Sequence, residues 1–205
     1  MSPRSTDQQT WAESRLGTAS AATTIAGDAA RSIALQMLEE RGRGAVLVGV
    51  ARVDAALVVL LKASLAPPSG SETLFVTDRP LGSFGARIAL AQRLGLIDHQ
   101  VERTLHTLRK VRNAFAHTAA VACLGEASYQ QPLSDCYRHA RENPLWAPLE
   151  RILDEKLQAI GNAGNEKAPD RFLRDYILLI TILLTACTTS QRHRPGDPYI
   201  SYNLG

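Results

Sequence analysis

Three side chains near the middle of the chain have the chemical types that catalytic sites use. Arg112, Asn113 and His117 stand within the stretch "LRKVRNAFAH". Histidine exchanges a proton near neutral pH, and the planar guanidinium of arginine offers several donors to an anionic group. The same types also serve structure, because arginine forms ion pairs and a histidine at a helix end interacts favourably with the helix dipole. The spacing alone leaves both interpretations open.

The helix that must position these residues is predicted to run from Asp98, its N-cap, to His117. At about 100° per residue, its apolar residues share one face. These residues are Val101, Leu105, Leu108, Val111 and Phe115. Arg112 falls among them, whereas Asn113 and His117 lie on another face. Arg112 and His117 diverge by about 140°, so on a straight helix they do not both face one small ligand.

A carboxylate on a second helix offers Arg112 a structural role. Asp54 lies within the long apolar stretch "GAVLVGVARVDAALVVLLKASLAPP", which predicts a central helix. A carboxylate in a core must find a partner. The sequence therefore predicts an ion pair between Asp54 and Arg112, and we prefer this structural interpretation to a catalytic one.

The motif helix also carries a basic surface, formed by Arg103, His106, Arg109 and Lys110. Such a surface is able to meet phosphates, although a run of charges is more often a solvated face. The net charge of +3 does not by itself indicate a nucleic-acid-binding protein. Contact of these four residues with RNA is retained as a hypothesis.

The 205 residues are enough for one domain with a sizeable core. Helical periodicity recurs along the chain and strand alternation does not, so the fold class is predicted to be all-α, a multi-helix bundle. We expect a flexible leader over 1–26, a single helical domain over 27–190 and a mobile tail over 191–205. "PLGS", residues 80–83, is predicted to form a rigid loop in which Ser83 caps the next helix.

The composition also predicts a cellular setting. The three cysteines form no CxxC pair and no metal-like spacing, so we expect a reduced cytoplasmic protein with neither metal nor cofactor. The apolar segment 176–189 is shorter than the roughly 20 residues that a membrane helix needs. It is predicted to be a buried core helix, and no membrane partner is expected. No phosphate-binding loop, zinc-protease motif or nucleophile elbow is present in the sequence.

Two linked motifs carry a resemblance to a known family. The string "LFVTDRPLGSFGARIALAQRLGLIDHQ", followed by "LHTLRKVRNAFAH", resembles the mannitol operon repressor (MltR-like) family over roughly residues 33–190. The resemblance implies a helical cytoplasmic regulator, often a homodimer. Because the chain shows no basic recognition helix, such a regulator would act through a protein partner rather than by reading bases.

The hexapeptide 112–117 also resembles the R-x4-H motif of HEPN-type ribonucleases, which are helical dimers. That resemblance implies a metal-independent site in which Arg and His from two chains meet. His117 would be the general acid or base, Arg112 would stabilise the transition state and Asn113 would position the phosphate. We treat this ribonuclease, a toxin or defence component, as the alternative to a regulator that is not an enzyme.

Overall fold

The computed structural model describes residues 27–40, 42–117, 123–162 and 171–190, and these form a helical bundle. The first helix, α1, covers 27–39. The others are α2 Gly42–Ser64, α3 Phe84–Arg93, α4 His99–His117, α5 Ala127–Ala140, α6 Trp146–Asn162 and α7 Arg171–Ser190. The described residues contain no β-strand. The prediction of an all-α bundle is therefore confirmed, while the predicted leader and tail lie outside the described residues.

Helices α2 and α7 form the centre of the bundle. They pack against each other, α3 and α4 pack on α2, and α5 and α6 pack on α7. The apolar run of α7 is inside, as predicted, with residues 177–180 fully buried. The Tyr176 hydroxyl donates to the Val46 carbonyl at 3.2 Å, which ties the two central helices together.

A glycine sets how closely the central helices approach. A Cβ atom placed on Gly49 would lie 3.0 Å from Met37 Cε, 3.2 Å from Ile180 Cγ1 and 3.4 Å from a ring carbon of Tyr176. Met37 belongs to α1, and Ile180 and Tyr176 belong to α7. Three helices therefore meet where α2 has no side chain.

Gly125 and Pro132 locally disfavour a helix after His117, so the sequence predicts a loosened chain there, but the structure has helix α5. The helix runs through Pro132, even though proline removes a backbone donor. Buried side chains at helical spacing stabilise it; they are Leu133, Cys136, Tyr137 and Ala140. Tyr129 also packs on Phe115 of α4, with ring centroids 4.8 Å apart. Apolar packing at this spacing outweighs the local effect of the proline.

Helix α2 has the length and composition of a membrane-spanning helix. Its most apolar 18-residue window has a mean hydropathy of 2.2, and 44% of that window is buried. A core helix passes the same test, so this observation does not decide between the two environments. The absence of a membrane partner stays a prediction.

Candidate functional site

Arg87, on α3, connects the loop before that helix to α2. Its Nη1 donates to both carboxylate oxygens of Asp54 at 2.8 Å. The rest of the guanidinium donates to three main-chain carbonyls, those of Leu81 at 2.7 Å and of Phe75 and Gly82 at 3.1 Å each. One arginine thus satisfies the carboxylate on α2 and fixes the course of the loop.

This arrangement corrects the predicted partner of Asp54. The carboxylate pairs with Arg87 and not with Arg112, whose side chain is exposed. Arg112 instead donates from Nη1 to its neighbour, Asn113 Oδ1, at 3.1 Å. The buried side chains nearest to Arg112 on α4, those of Leu108, Val111 and Phe115, lie to one side of it on the helical wheel. The prediction that Asp54 forms an ion pair was right, but its partner lies on α3 and not on α4.

Backbone hydrogen bonds and a close backbone contact hold the loop of residues 73–83. Leu81 N–H donates to the Leu74 carbonyl at 2.9 Å, and successive turns close the rest. A Cβ atom on Gly82 would lie 2.6 Å from the Val76 carbonyl oxygen, so no side chain fits there. Ser83 then caps α3, and its Oγ accepts from Ala86 N–H at 3.1 Å. The predicted serine cap is confirmed, and the rigidity of the loop stays a prediction.

The two sequence motifs meet at one cavity of about 430 Å³. The loop and the start of α3 contribute Gly82, Ser83, Phe84 and Gly85; α4 contributes Arg109, Arg112 and Asn113; α2 contributes Val50, Ala51 and Asp54. The guanidinium of Arg109 lies over Gly85, where an added Cβ would be 3.8 Å from its Nε. Segments of three successive helices thus form a single concave surface.

His117 does not line this cavity. It is exposed at the C-terminal end of α4. Close to it, Arg43 Nη2 donates to the Ala116 carbonyl at 2.9 Å and so satisfies one of the last carbonyls of the helix. Within one chain, the structure therefore brings together Arg112 and Asn113, but it leaves His117 outside their cavity.

The predicted basic surface of α4 is divided. Arg103 and Lys110 are exposed and His106 is half-buried, whereas Arg109 is part of the cavity wall. The Nε of Arg109 is buried and has no hydrogen-bond acceptor in the described part of the chain. Arg109 thus differs from its basic neighbours in being drawn into a concave site.

A second cavity, of about 350 Å³, lies between α5 and α7 and differs in charge. Arg141, Arg171 and Arg174 line it, and Arg141 and Arg174 contact Asp175, at 2.9 and 2.8 Å. Arg174 also pairs with Asp154 and Glu150 of α6. The carboxylates neutralise Arg141 and Arg174, which hold three helices together, while Arg171 lies over the Phe172 ring.

The described residues contain no group of three His, Cys, Asp or Glu side chains placed to hold a metal ion. Cys123 is exposed, while Cys136 and Cys187 are buried. Burial raises the pKa of the Cys187 thiol to about 12 and also raises the pKa of Cys136. The two buried thiols therefore stay protonated near neutral pH.

The chain was compared with known proteins at the level of sequence and of structure. No protein-family model, curated protein or solved structure gives a significant match. The resemblance to the MltR-like family and to HEPN domains therefore stays a prediction that depends on the two motifs.

Proposed function

We propose that this protein is a helical regulatory protein that acts in transcription control through a protein partner, and that it is not an enzyme. The observation that carries the proposal is the cavity between α2, α3 and α4. It joins the two motifs, it is open, and its rim carries the exposed Arg112. Exposed arginine at the edge of a concave surface is typical of recognition sites in proteins.

The separation of Arg112 from His117 favours binding over catalysis. A general acid or base must lie within hydrogen-bond reach of the group that it serves. His117 is not among the residues that line the cavity with Arg112. The cavity therefore contains groups that bind and orient, without the histidine that would move a proton.

Site-specific photo-crosslinking tests the proposal. A photoreactive benzoylphenylalanine replaces Ala51, which is exposed and lines the cavity, and in a matched control it replaces Ala159, which is exposed on α6. We expect one discrete protein adduct from position 51 only, re-formed with the purified partner and weakened by Arg112→Gln. Equal adducts from both positions, or no effect of Arg112→Gln, would contradict the proposal.

A metal-independent ribonuclease is the second candidate, and one observation favours it. Arg112 and His117 are both exposed, so a second copy of the chain is able to bring its His117 to the Arg112 of the first. This candidate requires the homodimer that the resemblance implies. Light scattering of the purified protein measures that state.

RNA cleavage in EDTA tests the second candidate, with His117→Ala beside the control His99→Ala. His99 is also exposed on α4 and is paired only with Glu102 in its own helix. Cleavage that is lost in His117→Ala and kept in His99→Ala would establish the ribonuclease. Absence of cleavage by the wild-type dimer between pH 6 and 8 would remove it.

A further inference from the structure

The cavity between α2, α3 and α4 contains two positive charges that no carboxylate of the described residues neutralises. Arg109 and Arg112 are neighbours at i and i+3 on one helix, where like charges repel. Within the described chain, Arg109 makes no ion pair and Arg112 contacts only the neutral Asn113 amide. The acidic residue in the cavity, Asp54, is already paired with Arg87. The wall therefore has an excess of two positive charges.

The burial of Arg109 makes this excess unfavourable in the empty cavity. Its Nε is shielded from water without an acceptor, and a desolvated donor on a charged group raises the free energy of the folded state. That guanidinium lies against Gly85, in the first turn of α3. The cavity therefore holds positive charge in a place where an anion would offset its desolvation.

The start of α3 adds neutral donors to the same wall. Ser83 Oγ accepts from Ala86 N–H, so the cap does not occupy the preceding N–H groups of Phe84 and Gly85. First-turn N–H groups have no acceptor within their own helix, and they favour an anion. Asn113 contributes a further amide at the cavity surface.

We propose that this cavity binds the phosphate group of a small molecule, with Arg109 and Arg112 as its charged partners. A phosphate carries about −1.5 to −2 charges at pH 7, which matches the two uncompensated guanidiniums. A carboxylate would neutralise only one of them. Arginine also binds phosphate oxygens through paired N–H donors. The inference goes beyond the proposed function, since a small ligand and a protein partner are separate occupants.

The cavity is larger than a bare phosphate needs. Its volume of about 430 Å³ falls in the range of about 300–1,000 Å³ that small-molecule sites occupy. Apolar groups of Val50, Ala51 and Phe84 form part of the lining. An organic phosphate monoester therefore fits better than inorganic phosphate, although both share the chemistry that the arginines recognise.

Calorimetric titration at constant ionic strength tests the inference, with inorganic phosphate and phenyl phosphate as probes of the full-length protein. We expect saturable binding that weakens about tenfold in Arg109→Gln and in Arg112→Gln. Arg103→Gln, an exposed arginine of the same helix outside the cavity, should bind as the wild type does. Tighter binding of phenyl phosphate would assign the site to an organic monoester, and equal binding would assign it to free phosphate.

A second measurement does not depend on whether the variants fold. In amide NMR spectra of the wild type, phosphate should shift the signals of Gly82, Ser83 and Gly85 and leave those of α6 unchanged. The absence of saturable heat at millimolar probe, or shifts spread over the whole surface, would overturn the inference. Crosslinking from position 51 would still succeed in that case, so failure of this inference is distinguishable from failure of the proposed function.

Discussion

Arg87 and Arg112 have the same side chain and opposite environments. Arg87 is 12% exposed in its side chain and donates to Asp54 and to three carbonyls. Arg112 is exposed, and among the described residues it donates to the neighbouring Asn113. Burial determines what each guanidinium contributes, because hydrogen bonds and ion pairs strengthen when water is excluded. Arg87 therefore contributes to stability, and Arg112 is available for the recognition that we propose.

This contrast predicts the stability of two matched variants. Arg87→Met leaves the Asp54 carboxylate and three carbonyls without their donor, and should lower the free energy of unfolding by about 3 kcal/mol. Arg112→Met should change it by no more than about 0.5 kcal/mol. Urea unfolding followed by circular dichroism measures both. Equal effects of the two substitutions would show that Arg87 does not have the role described.

Thiol reactivity offers a second prediction at this scale. Iodoacetamide should label Cys123 in the native protein and spare Cys136 and Cys187, because burial and raised pKa values keep the latter two as thiols. Mass spectrometry of the labelled protein counts the adducts. A Cys123→Ser variant should take up label only after denaturation, and native labelling of that variant would contradict the burial of the other two.

The partner of Asp54 was within reach of the sequence. On the helical wheel of α3, Arg87 lies about 40° from Ala91 and about 60° from Phe84, at the edge of the apolar face. Applied to α4, the same argument places Arg112 between Val101 and Leu105, both of which are buried. A wheel describes one helix, whereas the choice between two arginines depends on which helix faces Asp54. That information is tertiary.

Among the elements, those with clear end signals were predicted well. Ser83 and Asp98 both cap their helices as expected, and Asp98 Oδ1 accepts from Val101 N–H at 2.7 Å. Helix α5 was missed because Pro132 is a strong local signal against a helix. The spacing of its buried residues was present in the sequence, but their burial depends on α4 and α7. Local sequence signals do not predict a helix correctly where tertiary packing stabilises a residue that disfavours helix.

The close approach of α1, α2 and α7 gives a prediction for one glycine. Gly49→Leu must displace atoms of Met37, Ile180 and Tyr176 that lie within 3.4 Å of the new Cβ. We expect the free energy of unfolding to fall by about 3 kcal/mol through overpacking. Gly44→Leu, where the nearest atom is 3.9 Å away, should leave it within about 0.5 kcal/mol. Thermal and urea unfolding compare the two.

A tolerated Gly49→Leu would mean that the three helices are free to separate at this point. The control matters because leucine favours helix over glycine at any exposed position. Only a large difference between positions 49 and 44 isolates the packing effect.

At the scale of the molecule, α2 has an apolar surface that is only partly covered. Its environment is set by α3, α4 and α7, which pack against it, and by the Asp54–Arg87 ion pair on its side. The bundle itself was predictable, since helix lengths and apolar faces follow from periodicity. The cavity was not, because it depends on how three successive helices pack against one another, which periodicity does not specify.

The folded protein is predicted to stay in the aqueous phase when mixed with lipid vesicles. Inserting α2 would require its contacts with α7 to break and the Asp54 charge to enter hydrocarbon, which is unfavourable. Vesicle flotation of the full-length protein measures this, with a peptide of Gly42–Ser64 as a positive control that should float. Flotation of the intact protein would contradict the prediction and assign α2 to a membrane.

The contacts of Arg87 with the loop have a consequence for how this protein is able to diverge. They reach the carbonyls of Phe75, Leu81 and Gly82, which are main-chain atoms that every residue type supplies. The identities of the loop side chains are therefore largely free to drift, provided that position 82 keeps its missing Cβ. Relatives with the same architecture would then share the equivalents of Arg87, Asp54 and Gly82, while the other residues of the loop differ in sequence.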